Sequence, residues 1–180
     1  MKILFIGPMG SGKTTAINAV SDIAAISTEA ENNDLEQNGK ATTTVAMDYG
    51  EIHLGDDETV VLYGIPGQAR FDFMWQILAE GAMGAILLLD HQDSQACAQL
   101  GTYLDAFAEL AQRGALVIAV GHTTLPAAQV LEPYRQALLQ RGLALPLFLT
   151  DVRERSNVLL LVESLIANAE VNQMMEGFQP

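Results

Sequence analysis

Positive charge is scarce in this sequence. Its 180 residues carry nine Lys and Arg against 22 Asp and Glu, a formal net charge of −13 at pH 7. Such a balance repels phosphodiester backbones and anionic lipid, which argues against nucleic acid and acidic membranes as principal partners. The lysines are Lys2, Lys13 and Lys40. Any bound polyphosphate must therefore be met by backbone amides, one ammonium group and a metal ion. Cysteine is nearly missing too. Cys97 alone can form neither an internal disulfide nor a thiolate cluster, and its Ala/Gln-rich surroundings mark it as structural. The longest apolar stretch, around 84–89, falls far short of the roughly 20 residues that cross a bilayer. A strand-like start at Lys2 argues against a secretory leader, and no myristoylation glycine or prenylation cysteine is present. The expectation is a cytoplasmic protein with no direct membrane anchor. Without internal repeats, one domain is expected over 1–172, with a flexible tail over 173–180.

What the chain does contain is Gly7-Pro8-Met9-Gly10-Ser11-Gly12-Lys13-Thr14, a full match to G-x-x-x-x-G-K-[ST]. The apolar run Lys2–Ile6 before it suits a buried strand, and Thr14–Val20 after it suits a helix. Glycine at 7 and 12 permits backbone geometry that a Cβ would obstruct. Successive loop N–H groups then converge on a phosphate, aided by the helix N-terminus. Gly7, Gly10, Ser11, Gly12, Lys13, Thr14 and Thr15 are the candidate phosphate ligands. Lys13 supplies charge to the β- and γ-phosphates, and the Thr14 hydroxyl is the expected Mg²⁺ ligand.

Further along, a helix is expected from about Lys13 to Ile26. The acidic stretch Ser27–Thr44 buries little and reads as a mobile segment ordered by ligand. Thr44–Leu54 and Thr59–Tyr63 form a hairpin about Gly55. The loop Gly64–Gln68 precedes a helix over Phe71–Glu80. Strand and helix then alternate: Ala85–Asp90, Ser94–Arg113, Gly114–Val120, Pro126–Arg141, Leu145–Leu149, and Ser156 to about Asn172. This order gives an α/β fold with a mostly parallel sheet and helices on both faces. Ligands in such sheets sit beyond the strands' carboxyl ends. There lie the loop at 7–14, Gly64–Gln68, Asp90, Gly121–Thr124 and Thr150–Val152.

These residues resemble the Ras-like small GTPases. Thr44-Val45-Ala46-Met47-Asp48-Tyr49 is similar to the T-I-G-V-D-F run after the first switch, and Gly67-Gln68-Ala69-Arg70-Phe71 to the G-Q-E-R-F of the second. The combination T-T-T-V-A-M-D-Y-G … G-I-P-G-Q-A-R-F most resembles bacterial small GTPases of the conservon and gliding-motility (MglA-like) groups. The resemblance implies a three-layer P-loop NTPase of Ras-like type, with six strands and Thr44–Leu54 as the one antiparallel edge strand. It implies a GTP/GDP switch with Mg²⁺, read by a protein effector or activator, roadblock-type partners among them. By position, Thr44 would hold Mg²⁺ from the first switch, with Thr42 and Thr43 as rival registers. Gly67 N–H would sense the γ-phosphate, and Gln68 would orient the attacking water, as such a glutamine does in phosphoryl transfer.

Three positions depart from the family pattern. The second switch usually begins D-x-x-G, and here that aspartate is Gly64. Metal binding then leans on Thr14, Thr44 and the phosphates, with Asp48 or Asp90 compensating through water. The guanine-reading N-K-x-D is replaced by Gly121-His122-Thr123-Thr124, which lacks the carboxylate. Losing a charged hydrogen bond of roughly 1.5–3 kcal/mol lowers guanine preference by about 10- to 150-fold. Base contacts are then left to His122, Thr123, Thr124 and the Thr150-Asp151-Val152 amides. Met9 stands where glycine is frequent and would crowd Gln68, so intrinsic hydrolysis is expected to be slow and partner-stimulated. Arg70 reads as a switch-face residue. Phe71, Phe73, Met74 and Trp75 cannot all be buried by one helix, which leaves an apolar patch for a partner. Two other functions fit less of the pattern. A scaffold without turnover suits the degenerate base motif but not Gln68 and Lys13. A small-molecule kinase would need phosphate-facing arginines, whereas Arg113, Arg135, Arg141, Arg153 and Arg155 are late and scattered.

Overall fold

The computed structural model describes residues 1–27, 47–55, 58–68 and 72–176. Thr42, Thr43, Thr44, Arg70 and Phe71 lie outside the described residues, as does the end of the tail. The strands are β1 (Lys2–Ile6), β2 (Ile26–Ser27), β3 (Asp48–His53), β4 (Thr59–Gly64), β5 (Gly84–Asp90), β6 (Leu116–Gly121) and β7 (Leu147–Leu149). The helices are α1 (Lys13–Val20), α2 (Asp72–Ala79), α3 (Ala96–Ala106), α4 (Ala108–Gln112), α5 (Ala127–Gln140) and α6 (Arg155–Glu176).

The sheet runs β2-β3-β4-β1-β5-β6-β7. β1 pairs in parallel with β4 and β5, and β6 continues in parallel to β7, while β3 is antiparallel to its neighbours. The expected α/β architecture holds, with one strand reversed. A seventh, two-residue strand, β2, lies outside β3 and takes the edge. Alternate side chains of the central strands enter two separate cores. Leu4, Ile6, Leu87, Leu89, Ile118 and Val120 pack under α2–α5. Ile3, Phe5, Ile86, Leu88 and Val117 pack under α1 and α6. These are the three layers. No helix of the described residues is long and apolar enough to cross a membrane.

Several boundaries differ from the sequence reading. α1 stops at Val20 rather than Ile26. Ser21 is extended, its Oγ donates to Ile23 O at 2.8 Å and accepts from Glu51 N at 3.1 Å, and these local bonds replace a further turn. The expected helix Ser94–Arg113 is two helices joined at Phe107, whose backbone (φ −113°, ψ 37°) leaves helical geometry. Cys97 is exposed on α3, so it is not a core residue. α6 continues to Glu176, past the expected end at Asn172. Asn168 and Asn172 on α6 donate to Gly114 O and Arg113 O at 2.6 and 2.7 Å, which ties its later turns to the end of α4.

Candidate functional site

β1 ends at Ile6 and α1 begins at Lys13, so the glycine loop spans the gap between a buried strand and a helix start. Gly7, Gly10 and Gly12 have φ of 138°, 81° and 97°. At Gly7 glycine is also a matter of space: a Cβ would lie 2.2 Å from Leu88 O. Gly12 is the N-cap of α1 and gives it no side-chain cap. The first amides of the helix therefore point into the site with no side chain answering them from the cap, an arrangement suited to an anion. Ser11 Oγ is buried with no hydrogen-bond partner, the kind of orphaned polar atom a ligand resolves. Lys13 Nζ donates to Gly7 O at 2.8 Å and Pro8 O at 2.7 Å. Burial pulls its pKa down from 10.5 to about 8, against the opposing pull of Asp48.

Beside the loop, α1 meets β3 and β4. Thr14 Oγ1 donates to Asp48 Oδ2 at 2.6 Å. Asp48 is the cross-strand partner of Gly64 in the β3–β4 pair. A Cβ at Gly64 would meet Asp48 Cβ and Oδ2 at 2.9 Å. The carboxylate missing from position 64 is thus matched by one on the neighbouring strand that fills the same space. Among the described residues no cluster of three or more His, Cys, Asp or Glu could hold a metal by itself. Asp90 does not share this place. Burial alone would raise its carboxyl, but hydrogen bonds from His122 and the Gln92 amide hold it below its ordinary value. Its oxygens are engaged by His122 Nδ1 at 2.7 Å and Gln92 N at 2.8 Å, which counts against a metal role for it.

Gly67 lies directly on the phosphate loop. A Cβ there would be 2.2 Å from Gly7 O and 2.7 Å from Met9 N. Gln68 Nε2 is 3.6 Å from Met9 Sδ, and Met9 is 75% exposed. The glycine loop and the Gly67–Gln68 segment therefore form one surface.

On the other side of the loop opens a cavity of about 950 Å³. Ser11, Gly12 and Thr15 form its near wall, and His122, Thr123, Thr124, Thr150, Asp151 and Val152 its far wall. The expected base-binding residues are brought together, but several are already occupied. His122 is held at φ 59° with its ring on Asp90. Thr123 Oγ1 accepts from Leu125 N at 3.2 Å. Thr150 N donates to Val120 O at 2.9 Å, so of the three amides at 150–152 it is unavailable to a base. The Asp151 carboxylate is taken by Arg153, whose Nε and backbone N donate to Oδ1 at 2.9 and 3.0 Å. These bonds lower the Asp151 pKa to about 2. Sequence reasoning missed Arg153, Leu125, His91 and Asn157 as lining residues. Asn157 donates to Asp151 O at 3.1 Å. The only advance signal for them was proximity to the strand ends.

The family described as conserved hypothetical ATP binding protein matches residues 24–133, more than half of the chain. An uncharacterized protein of Methanocaldococcus jannaschii is 32% identical over 91 residues, 50% of this chain. That match spans about half, 51%, of the relative's length. The mutual gliding-motility protein MglA of Myxococcus xanthus is 26% identical over 152 residues, covering 79% of this chain and 77% of that protein. Among solved structures, the G domain of the T. maritima FeoB iron transporter superposes with a TM-score of 0.60 at 19% identity, covering 94% of this chain and 98% of that one. The chain belongs to the family of conserved hypothetical ATP binding proteins, and its fold is that of a P-loop small GTPase.

Proposed function

We propose that this protein is a GTP/GDP-controlled switch with slow intrinsic GTP hydrolysis, dependent on Mg²⁺. The observation that carries the reading is the continuity of three parts. A glycine cradle with an unpartnered buried hydroxyl lies between a nucleoside-sized cavity and the Gly67–Gln68 backbone. In this reading Lys13 leaves the Gly7 and Pro8 carbonyls for the β- and γ-phosphates. Gly67 N–H meets the γ-phosphate, and Gln68 orients water. Thr14 and Asp48, with Thr44 from the first switch, are the residues to hold Mg²⁺, Asp48 acting through a water. The ion would supply charge neutralisation that a chain of net charge −13 otherwise lacks. Contact between Met9 and Gln68 supports slow turnover, because the glutamine must leave the thioether to reach water. Effector or activator proteins, a roadblock-type partner being one form, would read the two switches.

One observation favours a second reading. The base wall offers no uncommitted carboxylate to guanine N1 and N2, since Asp151, the carboxylate that lines it, is engaged by Arg153. A scaffold with relaxed base preference, or one that accepts adenine as the family's description says of its members, fits that wall. The nucleotide released from purified protein, followed by titration with GTP, GDP and ATP in Mg²⁺, separates these. Guanine recovery supports the switch, adenine moves the reading to an ATP-controlled one, and absence of binding leaves the scaffold. Gln68→Leu should slow phosphate release by about tenfold or more without weakening binding. An unchanged rate removes Gln68 from the chemistry.

A further inference from the structure

The Ile65–Gln68 loop is gripped from beneath by an aromatic stack outside the nucleotide cavity. Trp75 of α2 and Tyr103 of α3 have ring centroids 4.9 Å apart at 20°. Phe107, at the break between α3 and α4, lies 5.9 Å from Trp75 and 6.5 Å from Tyr103. All three rings are buried. Burying them stabilises the fold whatever their tips do, and Phe107 shows that the stack accepts a ring with no polar tip. The two tips that are present both reach the same loop. Trp75 Nε1–H donates to Pro66 O at 3.2 Å, and the Tyr103 hydroxyl donates to Gly67 O at 3.5 Å. Burial pushes the Tyr103 phenol far above its ordinary range, so it keeps its proton as a donor.

Those two carbonyls belong to consecutive peptide units. The described residues contain no cis peptide. A trans peptide is planar, and its C=O and the following N–H point opposite ways. Fixing Pro66 O on the indole therefore turns Gly67 N–H away from the stack, and fixing Gly67 O on Tyr103 does the same for Gln68 N–H. A hydrogen bond to each carbonyl also polarises the amide it belongs to. Gly67 meanwhile abuts Gly7, Pro8 and Met9 of the phosphate loop.

We propose that Trp75 and Tyr103 are positioning residues that aim the Gly67 and Gln68 amides at the terminal phosphate of a bound nucleoside triphosphate. This rests on the reading of Gly67 as the γ-phosphate sensor. Two neighbouring N–H groups held in one direction form an anion-binding concavity that needs no added cation, which suits a chain with so few of them. The stack also ties that concavity to α2 and to the α3–α4 joint, so occupancy of the terminal phosphate site is felt by both.

The test compares Tyr103→Phe and Trp75→Phe with the unaltered protein. Each keeps a ring and removes one donor. Affinities for fluorescently labelled GppNHp and GDP, or the adenine pair if adenine is the preferred base, are measured in Mg²⁺. The expected result is a fall of about fivefold in triphosphate affinity per lost hydrogen bond, with diphosphate affinity within twofold. Equal losses for both nucleotides, or no loss in a variant that keeps the far-UV circular dichroism and cooperative melting of the unaltered protein, overturn the proposal. If Trp75→Phe does not fold, Tyr103→Phe decides alone. Should the unaltered protein bind both nucleotides equally, the sensing role of Gly67 falls and this inference with it. Discrimination that survives both substitutions removes the aromatic anchors alone.

Discussion

Lys13 and Asp48 show how single residues are tuned by where they sit. Lys13 has a folded pKa of about 8 against 10.5 in the open chain, because burial penalises its charge. Between those values the unfolded chain holds a proton that the folded one has released, so ligand-free stability rises as pH climbs from about 8 toward 10.5. On the proposed function, phosphate binding by Lys13 needs the charged form and runs the other way. Affinity should fall about tenfold between pH 7 and 9, with proton uptake visible as a buffer-dependent binding enthalpy at pH 9. A flat profile would show that Lys13 does not meet phosphate. For Asp48, replacement by Gly should raise the Mg²⁺ concentration needed for half-maximal nucleotide binding by about tenfold, the worth of one charged contact. The double variant Asp48→Gly/Gly64→Asp, which returns a carboxylate to the vacated space from the other strand, should recover much of that loss. No recovery, or no initial loss, counts against the cross-strand role.

At the level of elements, the joint between α1 and α6 holds the phosphate loop in place. α1 has eight residues and no basic residue in its last turn. Its terminal carbonyls are met instead by Arg155 at the start of α6, whose guanidinium donates to Val20 O at 2.8 Å and Ala19 O at 3.3 Å and reaches Asp22 Oδ1 at 2.9 Å. Positive charge at a helix C-terminus is favourable. Arg155→Ala should cost about 1 kcal/mol and lower the melting temperature by about 2–4 °C. Calorimetry checks this, and an unchanged transition would show that solvent replaces the guanidinium freely. The same elements show how far local sequence carries. The strand–loop–helix unit at 2–20 was legible because its demands fall on adjacent residues. The end of α1 was not, because Ser21 chooses its bonds with Glu51, thirty residues away.

At the scale of the whole molecule, the described residues form a seven-stranded sheet between two helical layers, with the cradle at the carboxyl ends of its central strands. A ligand that joins both sides of the cradle binds the folded state alone. Nucleotide with Mg²⁺ at about 100 times its dissociation constant should therefore add about 2.7 kcal/mol and raise the melting temperature by about 5–10 °C. A transition that does not move with any of GTP, GDP or ATP would remove the nucleotide from the protein's function.

Sequence by itself determined the alternation of strands and helices, the glycine cradle and the absence of a carboxylate at 64 and over 121–124. Each of these is written in residues a few positions apart, where φ/ψ freedom and hydrophobic spacing act locally. Tertiary structure alone decided that Asp48 fills the space beside Gly64, that His122 engages Asp90 and Arg153 engages Asp151, and that Trp75 and Tyr103 hold the loop before Gln68. Those pairings depend on strand register and on which helix covers which face. Both are fixed only when distant segments bury their apolar sides against one another.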